Sequence, residues 1–256
     1  MNATESDPDI NENGGWAQVG PRLSVANEAH RAQARMVDGK LVSGPIQGFG
    51  KMWQKTYRVR LTGLQVAPAN VIATWKARFP EFWPEGNRFY APLTGIAPGE
   101  VALLDISLGP GASLSTGVLV LYADDESFTL MTPQGHVFCG WITFSSFVDG
   151  ADGEAVAQAE VLMRAADPIC ELGLTFGGHA REDAFWVHTL TRLAEHLGVP
   201  APEVAQRVVC VDSRRQWSRA ANVWQNGAVR TGAYRATAPI RWAARLPRRA
   251  FGRRPA

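Results

Sequence analysis

Short apolar segments separated by turn residues fill the middle of the chain, from residue 87 to residue 166. Each segment has the length of a strand, and Gly, Pro, Asp or Ser residues bound it, as in APGE, GPGAS, ADDE, TPQG and DGADG. Strand-length segments at hairpin spacing are typical of an antiparallel meander. An earlier segment, KMWQKTYRVRLTG, has the same aromatic and β-branched character. The pattern therefore predicts one early strand and six later strands.

A helical pattern separates the early strand from the meander. Pro68 suits the first turn of a helix, and Val71, Ile72 and Trp75 then recur three and four residues apart. Pro80 should end this helix, because a proline cannot donate the next hydrogen bond.

Two further helices are predicted after the last strand. Asp167 is a typical N-cap, and Pro168 suits the first helical position. Gly177 and Gly178 should break this helix, and a longer one should then run to Gly198. Such a helix could cover the apolar face of the antiparallel sheet.

The order of strand, helix, six strands and long helix resembles the helix-grip fold of the START/SRPBCC superfamily, the birch-pollen-allergen-like proteins. The segments FTLMTPQGHVFCGWITFSSF and DPICELGLTFGGHAREDAFW are similar to a bacterial branch of unknown function in that superfamily. The resemblance covers residues 50–198. It implies an α+β fold in which a curved antiparallel sheet grips a long C-terminal helix around a cavity.

Members of that superfamily bind lipids, hormones or polyketides in the cavity, and some act as cyclases or aromatases. The resemblance therefore implies that this chain binds a largely apolar, lipid- or polyketide-like molecule. It leaves open whether the chain also carries out cyclase-like acid/base chemistry.

One face of the long helix carries the candidate site. At 100° per residue, one apolar stripe holds His179, Asp183, Trp186 and Leu190, whereas His188 and His196 fall away from it. We expect the stripe to face the cavity, with His179 and Asp183 as an acid/base pair and Trp186 and Leu190 as ligand-binding walls. The alternative is that the two polar residues cap the helix or reach solvent.

Three other polar residues are ligand-binding candidates. His136 follows a hairpin turn and either lines the cavity mouth or simply flanks the turn. Asp105 lies inside an apolar strand, so it is either a pocket group or a sign that this face is exposed. Tyr122 alternates with inward positions and is either a pocket residue or a core tyrosine. Glu160 and Arg164 are expected to form a solvent-facing pair.

Composition narrows the classes of protein. The chain has 256 residues, of which 46% are hydrophobic, and it has no apolar run long enough for a transmembrane helix. The acidic N-terminus does not resemble a signal peptide, and the three cysteines form no CxxC pair. These features predict a cytoplasmic protein. The motifs HExxH, GxSxG, GxGxxG and the P-loop are missing from the sequence, so we predict no metal and no cofactor.

Charge is distributed unevenly along the chain. Residues 201–256 contain twelve arginines, no lysine and two acidic residues, a net charge of +10, against −8 for residues 1–200. We therefore divide the chain into a polar leader at 1–45, a helix-grip domain at 46–199 and a basic tail at 200–256.

The tail mixes basic and aromatic residues. Arg214, Arg215 and Arg219 flank a predicted helix that carries Trp217 and Trp224. This mixture suits an anionic membrane surface or an acidic partner, and it carries no strong nucleic-acid signal. It leads to an alternative function, that of a non-enzymatic interaction protein attached to its partner through the tail. In that case the tail would be dispensable for folding. A tail packed on the acidic body, or a disordered extension, is the other interpretation.

Overall fold

The computed structural model describes residues 36–37, 40–109, 112–149, 153–227 and 229, so residues 1–35 of the predicted leader lie outside them. The strands β1 to β10 are Met36–Val37, Lys40–Leu41, Met52–Arg60, Arg88–Tyr90, Val101–Gly109, Ala112–Ala123, Ser127–Met131, Phe138–Val148, Ala155–Ala165 and Val204–Asp212. The helices α1 to α3 are Pro68–Arg78, Pro168–Gly173 and His179–Leu197, and 3-10 helices occupy Pro45–Gln47, Phe79–Phe82 and Trp217–Gln225. None of the described helices is long and apolar enough to cross a membrane.

Eight strands form one antiparallel sheet. Their order across the sheet is β10-β3-β9-β8-β7-β6-β5-β4, so the six meander strands lie side by side in sequence order. Helix α3 packs on one face, mainly against β3 and β9. This is the α+β helix-grip fold predicted from the sequence, in which a curved sheet packs around a long C-terminal helix.

The predicted capping residues position α2 and α3. The Asp167 side chain accepts hydrogen bonds from the backbone N–H groups of Ile169 and Cys170, and so caps α2. Gly177, with a φ of +100°, breaks the chain direction between the two helices, and Gly198, at +104°, ends α3. Both positions lie in the left-handed region, where glycine has no steric penalty.

Aromatic side chains fill the space between the helices and the sheet. Trp75 and Phe79, from α1 and its continuation, are fully buried against Phe128 and Phe144 of the sheet. The ring centroids lie 4.6–6.1 Å apart, a range typical of packed aromatic pairs. These side chains therefore occupy space that the resemblance assigns to a ligand cavity.

The last strand extends the sheet beyond the predicted domain boundary at residue 199. β10 pairs with β3 from Val204 opposite Val59 to Asp212 opposite Met52. It is an edge strand exposed on both faces, so it lacks the alternation that would mark it as a strand in the sequence. The sheet thus continues to Asp212, and the boundary at 199 is corrected accordingly.

Candidate functional site

An open cleft lies where α3 begins, on the face of the sheet that meets the helices. It has a volume of about 250 Å³, and its walls come from the start of β3, from α2, from the start of α3 and from the segment after β10. The lining residues are Lys51, Trp53, Glu171, Thr175, His179 and Arg215. The break between α2 and α3 places this cleft at one end of the packed interior.

His179 forms part of the cleft wall. Its ring lies 4.9 Å from that of Trp53, edge to face. Its Nδ1 atom is buried, and no group among the described residues hydrogen-bonds to it. Burial, and then the positive charge of Lys55, lower the pKa of His179, although Asp183 acts in the opposite direction. The imidazole is therefore neutral at pH 7 and can accept a proton.

The other two histidines of α3 are exposed, as the helical angles predict. His188 and His196 are both more accessible than the half-buried His179. This confirms which face of the helix meets the sheet.

A buried charge cluster lies close to the cleft. The Lys55 side chain is completely buried, and its Nζ lies 2.6 Å from Glu182 Oε2 and 2.6 Å from Asp183 Oδ1. The Tyr57 hydroxyl donates a hydrogen bond of 2.7 Å to the same Asp183 oxygen. The partners of Asp183 are thus Lys55 and Tyr57, and no described hydrogen bond links it to His179. The predicted acid/base pair is not formed as a hydrogen-bonded pair.

The two carboxylates of this cluster differ in their pKa values. Burial raises the pKa of Glu182 to about 7, against the opposing effect of Lys55. Burial also acts to raise the pKa of Asp183, but hydrogen bonds from Lys55 and Tyr57 outweigh it and hold the pKa below its ordinary value. Neither Lys55 nor Glu182 was a predicted site residue. Lys55 alternates with Trp53 and Tyr57 on one face of β3, and that spacing is the signal that could have identified it.

The two predicted wall residues of α3 lie in the packed interior. Leu190 is fully buried, and the Trp186 ring lies 5.5 Å from that of Phe144. Neither residue lines the cleft beside His179. Their role in the structure is core packing.

Asp105 faces away from the helices. Ala102 and Leu104 of the same strand are buried, whereas the Asp105 carboxylate accepts hydrogen bonds from Tyr90 and Ser115 on the outer face. The hydrogen bonds from Ser115, and then Tyr90, lower its pKa. The second interpretation of Asp105, an exposed strand face, is the correct one.

Tyr122 is also on the outside. The pairing of β6 with β7 shifts register between Val120 and Tyr122, so Leu121 and Tyr122 are both exposed. The Tyr122 hydroxyl hydrogen-bonds to Asp124, and this bond raises its pKa to about 12. A β-bulge of this kind changes the face on which the following side chains lie. Both interpretations of Tyr122, pocket residue and core residue, are therefore wrong.

His136 is buried in the turn before β8, and its Nδ1 accepts a hydrogen bond of 3.0 Å from the backbone N–H of Phe138. It does not line the cleft beside His179. Burial lowers its pKa to about 4, although the Phe138 bond opposes this shift. His136 acts as a turn residue, the second of its predicted interpretations.

The low pKa of His136 gives a testable pH dependence. Between pH 6.5 and 4 the unfolded chain binds a proton that the folded chain does not, so the free energy of unfolding should fall as the pH falls. The loss from this group should reach about 3 kcal/mol. Urea titrations over this pH range should show a smaller loss in His136→Asn, which keeps an acceptor near the Nδ1 position. An equal loss in both proteins would contradict the assignment.

Arg164 is buried rather than solvent-facing. Its guanidinium donates to the carbonyl oxygens of Gly50 and Arg214 at 2.5 and 2.9 Å and to Asp212 Oδ2 at 2.5 Å. Glu160, its expected partner, accepts a hydrogen bond from Gln54 instead. Arg164 therefore joins β9 to the residues just before β3 and to the end of β10.

Two of the three tail arginines pair within the chain. Arg214 lies 3.1 Å from Asp212, and Arg215 lies 3.0 Å from the largely buried Glu171. Arg219 lines a second cavity, of about 90 Å³, between the Trp217–Gln225 helix and the body. This part of the tail packs on the body, as one of its interpretations predicts.

Metal chemistry finds no support in the described part of the chain, and neither does thiol chemistry at Cys139 and Cys170. No group of three or more His, Cys, Asp or Glu residues there could hold a metal ion. Burial, the largest effect on both thiols, raises the pKa of Cys139 and of Cys170. A raised pKa disfavours the reactive thiolate form.

No family model matches this chain, and no curated protein matches it. Solved structures similar to it include the di-domain ARO/CYC protein StfQ from the steffimycin biosynthetic pathway, with 14% identity and a TM-score of 0.44 over 58% of this chain. The match spans 53% of the StfQ chain, about half its length. A START superfamily protein from Mycobacterium smegmatis has 19% identity and a TM-score of 0.37 over 58% of this chain and 97% of that one. Truncated norcoclaurine synthase from Thalictrum flavum has 12% identity and a TM-score of 0.37 over 59% and 94%. The helix-grip fold of this chain rests on its own sheet order and helix packing.

Proposed function

We propose that this protein binds a small, largely apolar molecule with an anionic group in the cleft beside His179, and that His179 exchanges a proton with it. The observation that carries the proposal is the buried Nδ1 atom of His179, which has no hydrogen-bond partner among the described residues. A buried polar atom without a partner is costly, and ligand-binding sites are where such atoms are commonly kept.

The walls and volume of the cleft limit the ligand. Trp53 and His179 offer an aromatic surface, on which a flat apolar group can stack. A cleft of about 250 Å³ is smaller than the sites that hold drug-sized ligands. It favours a molecule of one or two rings, such as a polyketide-like fragment, over a long acyl chain.

Lys51 supports an anionic group on the ligand. Its ammonium has no carboxylate within ion-pair distance among the described residues, whereas the other cation of the cleft, Arg215, pairs with Glu171. A cation beside the aromatic ring of Trp53 attracts a carboxylate or an enolate and stabilises negative charge that develops there.

The chemistry that fits is proton abstraction next to a carbonyl. Neutral His179 would take the proton from a carbon beside the carbonyl group, leaving an enolate and an imidazolium. The enolate carbon would attack a second carbonyl, closing a ring, and the resulting alkoxide would recover the proton from His179. No atom is gained or lost in this cycle, so no cofactor is required.

Calorimetric titration with 2-naphthoate tests the binding site, because this probe combines two fused rings with a carboxylate. We expect His179→Gln to weaken binding about tenfold, the value of one buried hydrogen bond. His188→Gln, on the exposed side of the same helix, should leave binding unchanged. Neutral 2-naphthylmethanol should bind more weakly than 2-naphthoate to the unmodified protein, and this difference should shrink in Lys51→Met.

Two results would overturn the proposal. One is naphthoate binding that His179→Gln does not weaken. The other is a ligand that co-purifies with the protein in native mass spectrometry and stays bound to His179→Gln and Trp53→Leu alike.

A further inference from the structure

Helix α2 and the turn that follows it present an apolar stripe to solvent. Ile169 and Leu172 of α2 and Phe176 of the turn lie three and four residues apart, and all three are more than half exposed, with Phe176 at 79%. The opposite side of this segment is buried through Glu171 and Leu174. The other side of this segment makes the contacts with the core, so packing within the domain does not require the exposed stripe.

Two exposed tryptophans lie on the neighbouring element. Trp217 and Trp224 of the Trp217–Gln225 helix are each 74% exposed. Helix α2 is tied to this element by the hydrogen bond of 2.7 Å from Asn226 to Asp167 and by the pair of Arg215 with Glu171. The two neighbouring elements thus carry five exposed large apolar side chains, which we call the docking face: Ile169, Leu172, Phe176, Trp217 and Trp224.

Two arginines flank the tryptophans of this face. They are Arg214, whose side chain is 87% exposed and lies 3.1 Å from Asp212, and Arg219. Residues 213–256 contain eleven arginines and no acidic residue, and the described chain ends beside Trp224. Trp217 and Trp224 therefore lie within the most basic segment of the sequence.

We propose that the docking face binds the surface of an anionic lipid bilayer. Exposed aliphatic and aromatic side chains rimmed by arginines match the boundary between acyl chains and negative headgroups, where tryptophan is favoured. A nucleic acid would use the arginines but would leave Ile169 and Leu172 without an apolar partner. A second copy would bring two faces of the same charge together, which opposes association.

The face also borders the cleft. Glu171 and Thr175 line the cleft, and the next residues along the chain, Leu172 and Phe176, belong to the stripe. Docking would turn the cleft opening toward the bilayer. The meaning of this orientation rests on the proposed function, whereas membrane binding does not depend on it.

Co-sedimentation of the full chain with vesicles tests this proposal. We expect partition into phosphatidylcholine–phosphatidylserine vesicles and little into phosphatidylcholine alone, with a decrease as salt is added. The double variant Leu172→Ser with Phe176→Ser should lose at least tenfold in partition. Leu93→Ser removes a fully exposed leucine near the opposite edge of the sheet and should change nothing. Arg214→Gln should cost about fivefold at low salt.

Four outcomes would overturn the proposal. The first is no binding to anionic vesicles at low salt, and the second is an equal loss in the Leu93 variant. The third is binding to duplex DNA that is tighter than vesicle binding and unaffected by the double variant. The fourth is a dimer in sedimentation equilibrium that the double variant dissociates. The vesicles contain no cleft ligand, so a failure of vesicle binding would not contradict the proposed function, which the naphthoate titration tests independently.

Discussion

A chain that ends at residue 203 is expected to lose its cooperative unfolding transition. It would lack β10, and β3 would become an unpaired edge. Arg164 would remain buried without Asp212, and removing one partner of a buried ion pair commonly costs about 3–5 kcal/mol. Together with the lost strand, this approaches the whole net stability of a typical domain, about 5–15 kcal/mol. The structure thus leads to the opposite of the sequence-based expectation that residues beyond 200 are dispensable for folding.

Two other chains separate the causes of that loss. A chain ending at residue 227 keeps β10, the last 3-10 helix and the bond from Asn226 to Asp167, so its transition should be retained. Asp212→Ala in the full chain should lower the free energy of unfolding by about 3 kcal/mol, chiefly through the loss of the buried pair with Arg164. Both can be followed by circular dichroism in urea. A chain ending at 203 that unfolds at the same urea concentration as the full chain would show that β10 adds nothing.

The sequence predicted those elements whose signals are local. Asp167 and Pro168 mark the start of α2, and Gly177 and Gly198 mark the break and the end of the helices, because capping and left-handed φ angles depend on single residues. Turn residues also separated the meander strands. The order of the elements then limited the fold to a sheet with one covered face.

Pairings between distant residues could not be predicted in this way. Lys55 meets Glu182 and Asp183 more than 120 positions later in the chain, and Arg164 meets Asp212. The local pattern around a charged residue does not identify its partner. The predicted pair of His179 and Asp183 therefore rests only on their spacing of one helical turn. A single bulge likewise moved Tyr122 to the outer face.

The cavity shows the limit of reasoning from element order. The fold was predicted correctly, but whether its interior is open depends on side-chain volume. Trp75 and Phe79 of α1 and its continuation occupy the interior, and the remaining cleft lies at the start of α3. Of the four predicted stripe residues, His179 alone lines this cleft, whereas Trp186 and Leu190 pack in the interior.

Lys55→Met is expected to lower the free energy of unfolding by about 3–5 kcal/mol at pH 8, because it leaves Glu182 and Asp183 without their buried cation. The loss should shrink as the pH falls. The pKa of Glu182 is already raised to about 7 in the presence of Lys55, so the folded protein takes up a proton on Glu182 that the unfolded chain, at ordinary carboxyl pKa, does not. Without Lys55 that pKa should rise further, so by pH 5 protonation of Glu182 would remove one of the two uncompensated charges.

Lys51→Met is the matched control for this prediction. Lys51 lies on the same face of the chain as Lys55, but its ammonium has no ion pair among the described residues, so the change should stay within about 0.5 kcal/mol. The double variant Lys55→Met with Glu182→Gln should recover part of the loss at pH 8, since it removes one of the two unpaired carboxylates. Urea titrations at pH 5 and pH 8 measure all three proteins. If Lys55→Met costs less than about 1 kcal/mol at pH 8, or costs the same at both pH values, the cluster does not hold the charges that its geometry implies.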